Sequence, residues 1–133
     1  ALTMEITSWR EAGHVPVTVL QLKGDLVAEE PLGTRAQAAF DDGARHIVLD
    51  LSDVPYISSA GLRAIHSLYL LLRDADAADA AMARQGIVKG TYKSPHLKLV
   101  RPSKNAMKAL STTGYDMFLE IHDNLRAAVH SFA

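Results

Sequence analysis

The chain has no cysteine. That excludes disulfides and thiol chemistry, and it fits a reducing cytoplasm. It has no charge excess either: 14 Lys and Arg stand against 15 Asp and Glu, for a formal net charge of -1. Nucleic acid and anionic membranes both select a strong basic excess, so neither is expected as a partner. The longest unbroken apolar run, Leu68 to Leu72, falls far short of the ~20 residues that span a bilayer, so no direct membrane insertion is expected. No basic-then-apolar leader opens the sequence, and a secretory signal is not expected. Residues 1–3 precede Met4 and are expected to be a foreign remnant. P-loop, G-x-G-x-x-G and H-E-x-x-H patterns are all missing, as is any repeat or low-complexity stretch. No cofactor, metal or catalytic residue is therefore expected.

What is present is ordinary for a folded domain. The 133 residues, 48% hydrophobic and 22% charged, suffice for one domain with a sizeable core. Met4 to Trp9 and Val15 to Leu22 alternate apolar and polar positions around a turn at Gly13, the pattern of an amino-terminal hairpin. PLGTRAQAAFDDGA has helical spacing, with Gly43 placed as its carboxyl-terminal cap. HIVLDLS is a short apolar run typical of a strand covered on both faces. Strand, helix and strand in that order imply a right-handed crossover and parallel pairing. From about Ser59 to Arg73, Leu62, Ile65, Tyr69 and Leu72 fall on one helical face, with Arg63, Ser67, Leu70 and Asp74 opposite.

Residues 74–96 are the least regular part. A short Ala-rich helix is expected there, capped by Asp76 and stopped by Gly86, with GIVKGTYKSPH as loop. LKLV then forms a fourth strand. Ser103 caps a helix to about Thr112, with Gly114 at its end; YDMFLEI is a short strand or extended segment; Asp123 caps a closing helix, NLRAAVHSF. The alternation gives an α/β domain with a mixed sheet. Asp41 and Asp42 are expected at a solvated helix end, and Trp9 as partly buried packing.

The chemistry gathers at PYISSAGLRAI, residues 55–65, where strand passes to helix. Three readings fit its two serines. Either Ser58 or Ser59 can be a plain N-cap, accepting a hydrogen bond from a free amide. That leaves one serine unexplained, and also Gly61, which costs ~1 kcal/mol in a helix relative to alanine; a glycine there suggests close approach of another backbone or molecule. A hydrolase is the second reading, but Ile57 breaks the G-x-S-x-G elbow, and His66 lies two turns along the same helix, out of reach of Ser59. The third is a phosphorylation switch. A phosphoryl group at a helix amino terminus meets the positive end of the dipole and adds a charge of about -1.5 to -2, enough to block docking.

VLDLSDVPYISSAGLRAI resembles the central motif of the STAS domain, the family of bacterial anti-sigma factor antagonists and of the cytoplasmic tails of sulphate transporters. LKLVRPSKNAMKALSTTGYDMFLEIHDNLRAAV continues the resemblance, and with LKGDL it covers nearly the whole chain except 74–96. It implies a single domain over 1–133, with four to five strands and helices mainly on one face, and with 74–96 as a family-atypical surface insertion. It also implies a non-enzymatic module that docks an anti-sigma factor, itself a serine kinase, and is switched off by phosphorylation of one serine and restored by a phosphatase. Laid on the family pattern, the modified serine falls on Ser59, with Ser58 second. Docking would use Ser58, Ser59, Ala60, Gly61, Leu62, Arg63, Ser67 and Asp25, with Gly61 admitting the partner.

The family's acidic positions hold Ser58 and Val27 here, and Asp25 is close to the second. Such acids can orient the hydroxyl or help hold the kinase's metal. Without them the resemblance also allows a constitutive adaptor, a STAS subunit of a larger signalling or transport assembly. Residues 74–96 are expected as a solvated excursion; functionally, Lys89, Tyr92, Lys93 and His96 would widen or select the partner surface.

Overall fold

The computed structural model describes residues 4–133, apart from the side chains of residues 87–89; residues 1–3 lie outside the described residues. Strands β1 (Glu5–Ala12) and β2 (Pro16–Lys23) form the expected hairpin, antiparallel with Glu5 opposite Lys23 and Ala12 opposite Pro16. Strands β3 (Ile47–Asp53), β4 (Leu97–Val100) and β5 (Glu120–His122) then add in order, each parallel to the one before. The sheet is mixed, five-stranded and ordered β1-β2-β3-β4-β5. Each parallel step requires a crossover. Helices α1 (Leu32–Asp41), α2 (Ser59–Asp74) with α3 (Ala77–Lys89), and α4 (Lys104–Thr112) supply them; α5 (Leu125–Ser131) closes the chain.

Alternation along the strands divides the core in two. Leu20, Leu22, Ile47, Leu49, Leu51, Leu97 and Leu99 face α1 to α4, which contribute Leu32, Leu62, Ile65, Tyr69, Leu72, Ala83 and Leu110. Val17, Val19, Val48 and Val100 face the other way, under Ala128, Val129 and Phe132. Four helices thus cover one face and α5 the other. Trp9 is half-buried against the smaller cluster, its Nε1 donating to Glu11 Oε1 at 2.9 Å. Asp41 and Asp42 are exposed at the end of α1, which Gly43 closes with a φ of 100°.

Three local expectations need correction. Gly86 does not stop α3, which runs on to Lys89 and ends at Gly90, φ 70°. Gly86 is instead a packing position, since a Cβ there would lie 2.9 Å from Tyr92 Cα. The cap of α5 is Asn124, not Asp123: Asn124 has the extended backbone a cap needs, and its side chain accepts from the amide of Ala127 at 2.8 Å. YDMFLEI is mostly not extended; Tyr115–Met117 form a 3-10 turn, and only Glu120 to His122 pair as strand. Asp76 does cap α3, its Oδ1 accepting from the amides of Ala78 and Asp79 at 3.0 and 3.2 Å. Residues 74–96 are more firmly packed than a solvated excursion, because Asp79, Ala83, Tyr92 and Ser94 are all buried.

Candidate functional site

The site is built where β2 and β3 end. Beyond the sheet the two chains stay paired: Gly24 N donates to Asp53 O at 3.0 Å, Leu26 N to Tyr56 O at 2.9 Å, and Ser58 N to Leu26 O at 2.9 Å. This ladder carries the loop after β2 alongside the start of α2, with Leu26 paired in parallel to Ile57. Gly24 makes the turn possible with a φ of 109°. From the other side Ser103, the cap of α4, turns its hydroxyl to the carbonyls of Val54 and Pro55 at 3.0 and 3.2 Å. The segment 54–57 is therefore fixed from both neighbours.

Ser58 is the N-cap of α2. Its backbone is extended, and its Oγ accepts from the amide of Gly61 at 3.2 Å. Ser59, the first residue of the helix, is exposed. The two serines thus divide the roles that the sequence left open, one capping and one free at the surface. No acidic residue lies in the first turn of α2, so the positive end of the helix dipole is not neutralised beside Ser59.

The remaining expected residues sort by exposure. Asp25, Arg63 and Ser67 are exposed; Ala60 is half-buried; Gly61 and Leu62 are buried. Of the two reasons that fit Gly61, close approach of another backbone or of a partner, the structure supplies the first. A Cβ there would meet the carbonyl oxygen of Leu26, with the Leu26 carbonyl carbon and Cγ each 2.9 Å away. The backbone that comes close is this chain's own. Tyr56, which carries no sequence signal for it, also shapes the surface and is 51% exposed, as is Val27 at a position the resemblance marks as acidic; Glu29 Oε1 lies 4.0 Å from Arg63 Nε. Both members of that pair are well exposed, so the contact contributes little.

The histidines are engaged elsewhere. His66 packs among the rings of Tyr69, Tyr115 and Phe118; His96 faces Asp76 and His122 faces Glu120; His14 lies against His130. No Ser-His pair of the kind a hydrolase needs is assembled at Ser59 by these contacts. Among the described residues no group of three or more His, Asp or Glu is placed to hold a metal. No helix among them is long and apolar enough to cross a membrane.

The fold is similar to solved structures. One is an anti-sigma factor antagonist from Mycobacterium paratuberculosis, with a TM-score of 0.66 and 20% identity over 96% of this chain and 94% of that one. Another is the anti-sigma factor antagonist SpoIIAA in its unphosphorylated form, with a TM-score of 0.51 and 14% identity over 91% and 92% of the two chains. No curated protein matches the chain. The family model of the STAS domain matches residues 2–80, from the hairpin through the serine turn and all of α2, and the chain belongs to the STAS domain family.

Proposed function

We propose that the chain is a non-enzymatic, cytoplasmic binding module of the anti-sigma factor antagonist type. It docks an anti-sigma factor that is also a serine kinase through the start of α2 and the loop after β2, and phosphorylation of Ser59 switches it off. The observation that carries this reading is the division of the serines: Ser58 is held as the cap and Ser59 is exposed at the first turn. Exposure lets a kinase reach Ser59 without unfolding the helix. A phosphoryl group there would gain from the unneutralised helix dipole and could pair with Arg63 four residues on. It would also place about -1.5 to -2 charges in the middle of the docking surface, which a partner shaped for a small hydroxyl must desolvate or repel. A phosphatase would restore docking.

Two features favour a second reading, a constitutive adaptor in a larger signalling or transport assembly. Val27 stands half-exposed where the family resemblance leads one to expect an acid, and Ser58 is occupied as a cap. One experiment separates the two. The protein is incubated with an anti-sigma factor serine kinase and ATP, and phosphate is mapped by mass spectrometry. Label on Ser59, with loss of binding, supports the switch. Binding without label overturns the switch and leaves the adaptor; neither binding nor label removes both.

A further inference from the structure

The 74–96 segment carries a feature that the serine surface does not use. His96 sits just ahead of β4, with 12% of its side chain exposed. Its Nδ1 lies 2.9 Å from the carbonyl oxygen of Arg45 and its Nε2 2.9 Å from Asp76 Oδ2. A carbonyl and a carboxylate both only accept, while a neutral imidazole has a single N–H. Imidazolium alone satisfies both contacts.

The surroundings agree with a charge on this ring. The hydrogen bond from His96, followed by that from the Asp79 amide, holds the Asp76 carboxyl below the usual carboxylate range. Asp79 Oδ2 lies 4.0 Å from His96 Nε2, buried and without a hydrogen bond of its own, while Oδ1 accepts from the Tyr92 hydroxyl at 2.8 Å. An enclosed carboxylate oxygen gains from positive charge close by, and an imidazolium at His96 would supply it. The His46 ring, centred 5.1 Å from that of His96, has its pKa pushed down, first by burial and then by the charges of His96 and Lys98. Neighbouring cations are turned elsewhere: the Arg45 guanidinium lies over the Phe40 ring and Lys98 serves Ser131 and Glu120. Lys93 donates to the Asp116 carbonyl at 3.0 Å.

We propose that His96 is a protonation-dependent clamp on the 74–96 segment. As imidazolium it ties the first turn of α3, through Asp76, to the carbonyl at the entry of β3. As neutral imidazole it must release one of the two. Whichever contact is kept, the tie between the α3 cap and the entry of β3 is broken, which loosens the wall of the adjoining cavity of about 520 Å³, lined by Met82, Gly86, Tyr92 and Pro95 among others. The clamp stands on this geometry alone and is independent of the anti-sigma reading.

The test is amide hydrogen exchange of residues 77–86 in the whole protein, corrected for intrinsic rates. It is followed from about pH 5 to pH 8, where an ordinary imidazole changes charge. The expected result is a loss of protection in α3 of about tenfold or more as pH rises, the scale set by one hydrogen bond to a charged group, with β3 amides unchanged. His96→Gln keeps one donor and should hold α3 at its high-pH exchange level throughout. Asp76→Asn preserves capping and should also flatten the dependence, which guards against misfolding of the first variant. Protection in α3 that does not change with pH in the wild type would overturn the clamp. So would a pH dependence that survives in a folded variant.

Discussion

The carbonyl group of Leu26 lies directly over the α-carbon of Gly61, in the space a side chain would occupy. That carbonyl also accepts from the amide of Ser58, so one contact both locks the loop after β2 to α2 and sets where the serines stand. In an exposed helix, glycine to alanine would stabilise by about 1 kcal/mol. Here the sign reverses. Gly61→Ala must push two backbones apart, and about 2–3 kcal/mol of destabilisation is expected from overpacking. Urea unfolding measures it; an unchanged or higher midpoint would mean that the loop yields freely and does not fix the site.

The serines should separate in a simple pair of variants. Ser58→Ala removes the oxygen that accepts from Gly61 and should cost about 1 kcal/mol, the usual loss for a helix cap. Ser59 is exposed, and Ser59→Ala should leave stability within about 0.5 kcal/mol while abolishing phosphate incorporation by the kinase. Thermal melts and phosphate mapping on the same two variants check both halves. If Ser58→Ala instead abolishes labelling with no loss of stability, the roles are reversed.

These two contacts also show how far the sequence alone reaches. A serine cap at Ser58 or Ser59, Gly43 as a helix end and the Ile47 to Leu51 strand rest on neighbours within a few residues, and local rules found them, although only the backbone geometry selects Ser58. The partner of Gly61 comes from Leu26, across a strand-helix-strand crossover, so the glycine showed that something comes close but not what. Gly86 misled for the same reason: a local rule reads it as a stop, but the Tyr92 backbone packs against it and the helix continues. Asp123 and Asn124 are both good caps by type, and only backbone geometry selects Asn124. Tyr56 carries no pattern that marks it as exposed beside the serine turn; that follows from the ladder between the two strand ends.

On the opposite face of the sheet, Lys98 is nearly enclosed, with 5% of its side chain exposed. Its ammonium donates to the carbonyl and hydroxyl oxygens of Ser131 at 3.1 and 2.9 Å, lies 3.4 Å from Glu120 Oε2 and sits 4.5 Å from the centre of the Phe132 ring. It is the polar tie between β4 and the end of α5. Lys98→Met keeps much of the volume but removes those bonds. Glu120 retains some exposure, so the loss is expected at about 1–3 kcal/mol, with faster amide exchange concentrated in α5. Uniform acceleration across all strands would show that Lys98 supports the whole sheet instead.

Alkaline pH should test the Tyr92–Asp79 pair. The Tyr92 hydroxyl donates to Asp79 Oδ1 at 2.8 Å, and both side chains are buried. Burial first, and then Tyr69 and Asp79, push the Tyr92 pKa far above that of an ordinary phenol. A raised folded value means that the folded state holds the proton more tightly. The associated stability is complete below the unfolded value of about 10 and is lost as pH climbs from there towards the folded one. Tyr92→Phe should therefore flatten the alkaline limb of the stability profile. At neutral pH the same variant leaves a buried carboxylate oxygen without its donor, at a cost of about 1–3 kcal/mol. Urea unfolding at pH 7 and above pH 10 reads both effects, and an alkaline limb unchanged by Tyr92→Phe would assign it to a different phenol or lysine.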